Sequence, residues 1–139
     1  MRIRVKDVKR EGIEVRGELA SEAIGERPTD ELRFLAPLHI SARVERVDLT
    51  LLVHVRMEGR YHCVCYRCLQ DVEATWHRKF DLDFALQRQT EFVELDEDLR
   101  QEVILSLPMR VLCAPQCQGL CPYCGTNRNQ GRCSHDFDV

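Results

Sequence analysis

Cysteine is the residue type in this chain whose number and spacing point to chemistry. The 139 residues include eight cysteines. Two cysteines separated by one to three residues can bind the same metal ion from one short turn, and a histidine can replace either of them as a zinc ligand. Four such pairs are present: Cys65 and Cys68, Cys113 and Cys117, Cys121 and Cys124, and Cys133 and His135.

The four pairs predict two zinc sites, because a structural zinc ion binds four sulfur or imidazole ligands in a tetrahedron. Residues 121–135 form a compact unit whose closure costs little chain entropy. The expected sites are therefore Cys121, Cys124, Cys133 and His135 in one, and Cys65, Cys68, Cys113 and Cys117 in the other. The alternative is a single ribbon-like site with one ion, made by Cys65, Cys68, Cys121 and Cys124.

The remaining cysteine and histidines are not expected to bind metal. Cys63 shares a predicted strand face with Tyr61. We therefore expect Cys63 to be a small buried hydrophobic residue. The other histidines have no ligand partner near them in the sequence: His39, His54, His62 and His77.

The predicted sites are structural rather than catalytic. A catalytic zinc keeps one coordination position open, whereas eight ligands close two shells. A zinc deaminase would have H-x-E or C-x-E ahead of P-C-x2-C, and neither signal occurs; the proline-adjacent C-x2-C is CPYC at 121–124. A redox C-x2-C pair would begin a helix, whereas Cys65 and Cys68 are expected at a hairpin tip. We therefore expect no enzyme; a metalloenzyme or thiol-redox protein using a C-x2-C pair is the alternative.

Composition indicates a folded domain in a reducing compartment. The chain is 44% hydrophobic and 31% charged, with a formal net charge of -3 at pH 7. Its first ten residues, MRIRVKDVKR, lack the apolar stretch of a secretory signal, so we expect a cytoplasmic protein whose thiols bind metal instead of forming disulfides. The small net charge argues against indiscriminate binding to nucleic acid. Any such contact would be local.

Apolar periodicity predicts the elements that position the cysteines. Alternation from Val47 to Met57, continued by Tyr61 and Cys65, predicts one long strand in which Gly59 is a bulge or bend. A matching alternation over 72–86 predicts the antiparallel partner, with Cys65 to Cys68 at the tip. Residues 1–19 predict two strands joined by a turn, and 34–44 short extended pieces. Residues 96–107 predict a helix that begins in acids and ends at Pro108.

The expected fold is α+β: an antiparallel sheet or partly closed barrel, one main helix and a zinc-bound C-terminal tail. We expect one domain over residues 1–139. Residues 1–90 would be mainly β, 91–108 an acidic loop and helix, and 109–139 a metal-binding tail packed on the 59–78 hairpin.

Three segments resemble the YceD-like family, the large ribosomal RNA subunit accumulation proteins of bacteria and plastids. They are CYRCL at 65–69, EVILSLPMRVLC at 102–113 and CQGLCPYCGTNRNQGRCSH at 117–135. The resemblance extends from about residue 48 to His135, where many members carry another cysteine; Cys63 is an extra cysteine.

The resemblance implies a non-catalytic zinc-binding factor that supports large-subunit ribosomal RNA accumulation and ribosome biogenesis. Its implied partner is that RNA or a ribosomal protein, with no membrane and no small-molecule substrate. Arg128 and Arg132 are candidate external contacts. The alternative is a protein-binding adaptor that binds a basic ribosomal protein through the acidic residues between Glu91 and Asp98.

Overall fold

A computed structural model describes residues 1–24, 32–108 and 110–131 of the chain, and the architecture below refers to those ranges. Strands and helices follow one another as β1 Arg2–Arg4, a 3-10 turn at Val5–Asp7, β2 Ile13–Leu19, α1 Ser21–Ile24, β3 Arg33–Phe34, β4 Leu38–Val47, β5 Thr50–Val64, β6 Asp71–Ala85, β7 Phe92–Glu94 and α2 Asp96–Ser106.

The larger of two sheets is built around β5. Strand β6 pairs along one edge of β5, while β4 and then β3 pair along the other, and β2 pairs with β4; every pairing is antiparallel. In the described ranges β2 and β6 are the two ends, so the sheet is open, and of the two predicted forms the antiparallel sheet is adopted rather than the partly closed barrel. The predicted α+β class with an antiparallel sheet is confirmed.

The long hairpin of β5 and β6 was predicted in its main features. Its register runs without interruption from Thr50 opposite Ala85 to Val64 opposite Asp71. Gly59 is therefore neither a bulge nor a break. A Cβ at this position would lie 2.1 Å from Cδ2 of Leu38, so glycine provides the room in which that core side chain packs.

The predicted start of this strand at Val47 is wrong. Val47 pairs with Thr50 as the last pair of the β4–β5 hairpin, so Asp48 and Leu49 form a two-residue turn. Asp48 has a φ of 53°, which aspartate tolerates better than most residues. Val47 and Leu49 are more than half exposed. The apolar alternation continued through a turn. Of residues 34–44, predicted as short extended pieces, Phe34 lies in the short strand β3 and residues 38–44 lie in the longer strand β4.

The N-terminal strands also pair differently from a simple hairpin. Strand β1 pairs with β7 in a separate two-stranded sheet, in which Ile3 lies opposite Val93. Strand β2 instead begins after the turn at Gly12, whose φ is 83°. Helix α1 follows β2 directly, and residues 25–31 lie outside the described residues.

Helix α2 begins and ends close to the predicted bounds. Its first turn contains Asp96, Glu97 and Asp98, where carboxylates interact favourably with the helix dipole. Leu99 and Val103 are fully buried in the same core as the inner face of the large sheet. Among the described residues, no helix is long and apolar enough to cross a membrane.

Candidate metal centre

The tip of the β5–β6 hairpin is a tight turn that points two cysteines at one spot. The backbone N–H of Cys65 donates to the carbonyl of Gln70 at 2.8 Å, and the N–H of Leu69 donates to the carbonyl of Cys65 at 3.0 Å. Leu69 has a φ of 63°, a conformation that normally favours glycine. We call residues 65–70 the first cysteine turn.

The chain after α2 returns to this turn. The N–H of Tyr66 donates to the carbonyl of Val111 at 2.8 Å. Farther along, Nη1 of Arg67 donates to the carbonyl of Cys117 at 3.0 Å. Gly119, with a φ of 79°, packs so closely that an added Cβ would lie 3.4 Å from the backbone oxygen of Arg67. These contacts bring the second cysteine pair beside the first.

Four sulfur atoms consequently meet at the hairpin tip. The Sγ atoms of Cys65 and Cys117 are 3.7 Å apart, and those of Cys68 and Cys113 are 3.5 Å apart. All four lie within 4.8 Å of one another. We call Cys65, Cys68, Cys113 and Cys117 the four-thiol cluster; three members are buried and Cys113 is exposed.

The cluster has the dimensions of a tetrahedral zinc site. With Zn–S bonds of about 2.3 Å, tetrahedral geometry places neighbouring sulfurs about 3.8 Å apart. The two distances of 3.7 and 3.5 Å are close to that value. Thiolates are also ligands that zinc prefers. The four residues therefore fit a metal ion such as zinc, and they would complete its coordination shell.

Hydrogen bonding separates the acidities of the thiols. Burial opposes ionisation of Cys65, but the backbone N–H groups of Cys68, Cys113 and Arg67 donate to its sulfur and lower its pKa to about 6. The pKa of Cys113 is raised to about 12, first by its hydrogen bond with the Cys68 thiol and then by desolvation. Two like charges 4 Å apart repel by about 4 kcal/mol at an effective dielectric constant of 20. Four adjacent thiolates therefore require a cation.

Asn129 is a functional residue whose role the sequence interpretation missed. Its Nδ2 donates to Sγ of Cys117 at 3.3 Å, and its Oδ1 accepts from the N–H of Gln118 at 2.8 Å. The first of these contacts is the largest cause of a lowered pKa at Cys117. The available signal was the pair Asn127 and Asn129, which flanks Arg128, a residue expected to make an external contact.

Arg67 connects the two cysteine pairs. Its guanidinium donates to the backbone carbonyl of Cys117, while its backbone N–H donates to the sulfur of Cys65. The side chain therefore fastens the second pair to the turn. The guanidinium of Arg110 lies 4.9 Å from the ring centre of Tyr66, so a second arginine contacts the turn from its exposed side.

The third cysteine pair lies on a turn with the same backbone pattern as the first. The N–H of Cys121 donates to the carbonyl of Thr126 at 2.8 Å, and the N–H of Gly125 donates to the carbonyl of Cys121 at 2.9 Å. Gly125 occupies the position of Leu69 and has a φ of 75°. We call residues 121–126 the second cysteine turn. Its backbone is shaped like that of a two-thiolate metal turn.

The structure brings together four of the eight predicted ligands. Cys121 and Cys124 do not belong to the four-thiol cluster, so the ribbon-like grouping with Cys65 and Cys68 is not the one adopted. Cys121 is buried, while Cys124 is exposed and contacts the hydroxyl of Thr126 at 3.1 Å. Their predicted partners Cys133 and His135, with Arg132, lie outside the described residues.

The residues expected not to bind metal lie elsewhere. Cys63 is 5% exposed in the apolar core, and burial raises its pKa. Three histidines face carboxylates across the sheet: His39 with Glu18, His54 with Asp81, and His62 with Asp71. Within the described ranges, the four-thiol cluster is the one group whose ligand atoms are close enough to bind one ion.

Comparison with curated proteins finds a relative of this chain. The chain is 29% identical to the uncharacterized protein ML1660 of Mycobacterium leprae (strain TN) over 107 residues, covering 66% of this chain and 49% of that protein. This chain thus spans about half the length of the relative. No solved structure matches this chain.

The family comparison matches the C-terminal part of the chain. The matched segment contains helix α2, the pairs Cys113/Cys117 and Cys121/Cys124, and the tail. The first cysteine turn precedes it. The resemblance predicted from the sequence is confirmed over that segment: residues 85–139 match the family of the large ribosomal RNA subunit accumulation protein YceD.

Proposed function

We propose that this protein is a non-catalytic zinc-binding factor that supports the accumulation of large-subunit ribosomal RNA, and hence ribosome biogenesis, in the cytoplasm. One observation carries the proposal. The four-thiol cluster takes Cys113 and Cys117 from the segment that matches the family and Cys65 and Cys68 from the hairpin outside it. A bound ion would therefore fasten the family segment to the sheet.

Zinc would stabilise residues 110–131 where apolar burial does little. Between residues 110 and 131 no aliphatic or aromatic side chain is fully buried, and the buried side chains there are Cys117 and Cys121. Such a segment gains little from apolar burial against the entropy cost of ordering it. Metal binding can provide that free energy, since structural zinc contributes about 10–16 kcal/mol in small zinc-dependent folds.

A second zinc ion is part of the proposal. Cys121 and Cys124 would bind it together with Cys133 and His135. The support is the second cysteine turn, which repeats the two hydrogen bonds and the positive φ of the first. The metal-to-protein ratio of the purified protein tests this: two ions support the second site, whereas one ion confines binding to the four-thiol cluster.

The ligand set favours a structural role. Four cysteine ligands fill a tetrahedral shell and leave no position for a substrate or a reactive water. A cobalt-substituted protein tests this directly, because saturated tetrahedral thiolate coordination has a characteristic visible spectrum. A spectrum that changes on adding small anions would reveal an open position and support the metalloenzyme alternative.

The surface around the first cysteine turn is suited to contact a ribosomal component. Tyr66 is 59% exposed, and Leu69 is 62% exposed beside it. The Tyr66 ring is stacked with Arg110, and Tyr123 of the second turn is also exposed. Aromatic rings and arginine planes are the groups on which unpaired RNA bases stack. This favours ribosomal RNA over a ribosomal protein as the direct partner.

Complementation tests the function. Cells lacking the protein receive the wild-type chain, the double variant Cys113→Ser/Cys117→Ser, or Cys63→Ser as a matched control. We expect wild type and the control to restore the ratio of large-subunit to small-subunit ribosomal RNA, and the double variant to fail. An unchanged ratio in the cells without the protein would refute the proposed function.

A further inference from the structure

The register of the large sheet places three cations in one row on its solvent face. Arg16 of β2 lies opposite Ser41 of β4, Ser41 lies opposite Arg56 of β5, and Arg56 lies opposite Lys79 of β6. All four residues are exposed. We call Arg16, Arg56 and Lys79 the cationic row. Since neighbouring strands are about 4.8 Å apart, the row spans roughly 14 Å across the four strands.

The cationic row differs from the other cations on this face in having no carboxylate partner. Nε of Arg43 lies 3.0 Å from Oε1 of Glu45, and Nη2 of Arg60 lies 3.6 Å from Oε2 of Glu73. Within the described part of the chain, none of the three row members forms an ion pair or a side-chain hydrogen bond. Their charges remain available to a ligand.

Two members of the cationic row face each other directly. Arg56 and Lys79 are direct cross-strand neighbours, and like charges in that position destabilise a sheet. Exceptions of this kind to a local rule are expected at functional positions. An external polyanion that contacted both cations would remove the repulsion.

The small side chain of Ser41 lies between the row members and leaves the surface concave. One depression of about 500 Å³ is lined by all three row members, Ser41 and Arg43. A second one shares Arg16, Ser41 and Arg56 with it. Carboxylates flank the row on the adjoining positions: Glu14 and Asp81 in the first depression, Glu18 and Glu58 in the second. Anionic groups are therefore expected to bind along the row itself.

We propose that the cationic row is a binding site for the phosphodiester backbone of single-stranded RNA. The length of the row favours a polymer over a single phosphate, and the choice of RNA among polyanions rests on the proposed function. The site is separate from the metal centre. Cys65 lies nine positions after Arg56, just past the end of β5, which corresponds to about 30 Å of extended strand.

Binding of a fluorescently labelled 20-nucleotide single-stranded RNA, measured by anisotropy between 0.05 and 0.5 M salt, tests the site. The triple variant Arg16→Gln/Arg56→Gln/Lys79→Gln removes the row. The variant Arg2→Gln/Arg4→Gln/Arg88→Gln is the matched control, because it removes three exposed charges elsewhere. Thermal melts establish that both variants fold.

Each phosphate contact contributes about 0.7 to the slope of log affinity against log salt for single strands. The row variant is therefore expected to reduce that slope by about 2, which corresponds to about a hundredfold weaker binding at 0.1 M salt. The control should lose little. Competition by polyglutamate as strong as that by unlabelled RNA of equal charge would identify an acidic-polypeptide site and overturn the proposal. So would equal binding by the row variant and wild type, or no binding by wild type.

The outcome separates this inference from the proposed function. A row variant that binds RNA normally, in a protein whose loss still lowers large-subunit ribosomal RNA, overturns the cationic row alone. A row variant that loses RNA binding, in a protein whose loss leaves ribosomal RNA unchanged, supports the site and refutes the biogenesis role.

Discussion

Removing one sulfur from the four-thiol cluster tests the central physical argument. In Cys113→Ser, a hydroxyl replaces the thiol that lies 3.5 Å from Sγ of Cys68. Cys113 is exposed, so the substitution perturbs packing little. Cys63→Ser makes the same chemical change at a buried core position outside the cluster. The pair therefore separates loss of a ligand from loss of a thiol.

The expected magnitude follows from the ligand count. Loss of a residue that only supports a metal ligand typically costs 10–100-fold in affinity, so loss of a ligand itself is expected to cost at least about a hundredfold. This equals about 2.7 kcal/mol. The stabilisation that the ion gives to the tail falls by the same amount while metal is limiting.

Metal analysis and hydrogen exchange measure the two effects. Cys113→Ser should be purified with less zinc than wild type and release it to a weaker chelator. The amides of Tyr66 and Cys117, which donate to Val111 and Ala114, should exchange at least about a hundredfold faster. Amides in the middle of β5 should keep their protection, because they lie in the sheet. Cys63→Ser should lose overall stability, yet keep its zinc and its tail protection relative to the sheet.

Two results would refute the reasoning. One is full zinc content in Cys113→Ser with unchanged exchange of the tail. The other is a chelator-treated wild-type protein whose tail amides exchange as slowly as before, which would mean that packing orders the tail without an ion.

Three further substitutions test local features. Leu69→Gly should raise stability by about 1 kcal/mol, a few degrees in the melting temperature, because Leu69 is exposed and its φ of 63° is unfavourable for a residue with a Cβ; a decrease would contradict the strain. Gly59→Ala should cost about 1–3 kcal/mol by overpacking against Leu38, and the double variant with Leu38→Ala should lose less than the sum of the two single losses; additive losses would exclude the contact. Asn129→Ala should weaken zinc binding about 10–100-fold by chelator competition, because it removes the donor to Cys117; unchanged affinity would show that this hydrogen bond does not tune the site.

Short-range pattern was sufficient for the hairpin and the helix. Side chains alternate along a strand, so the apolar positions of β5 and β6 identified both strands and placed Cys65 and Cys68 at their tip. The acids at the start of α2 and Pro108 after its end identified the helix in the same local way. These features depend on residues a few positions apart, which a sequence displays directly.

Apolar alternation gave a wrong prediction where more than one arrangement of the chain was consistent with it. The alternation of Val47 and Leu49 matches a strand, yet these residues border a turn. The apolar residues of β1 could pair with β2, yet they pair with β7, about 90 residues later. Alternation predicts that a segment is extended, but it does not identify the partner of its hydrogen bonds.

The sequence by itself determined which residue types could bind metal, in which pairs, and on what kind of turn. That Cys113 and Cys117 meet the hairpin tip was the preferred of two groupings, and the tertiary structure decided between them, because the meeting depends on contacts of Tyr66 and Arg67 with a segment more than 40 residues away. The cationic row has the same origin. Arg16, Arg56 and Lys79 are unremarkable along the chain, and they become neighbours only because the strand register sets them side by side.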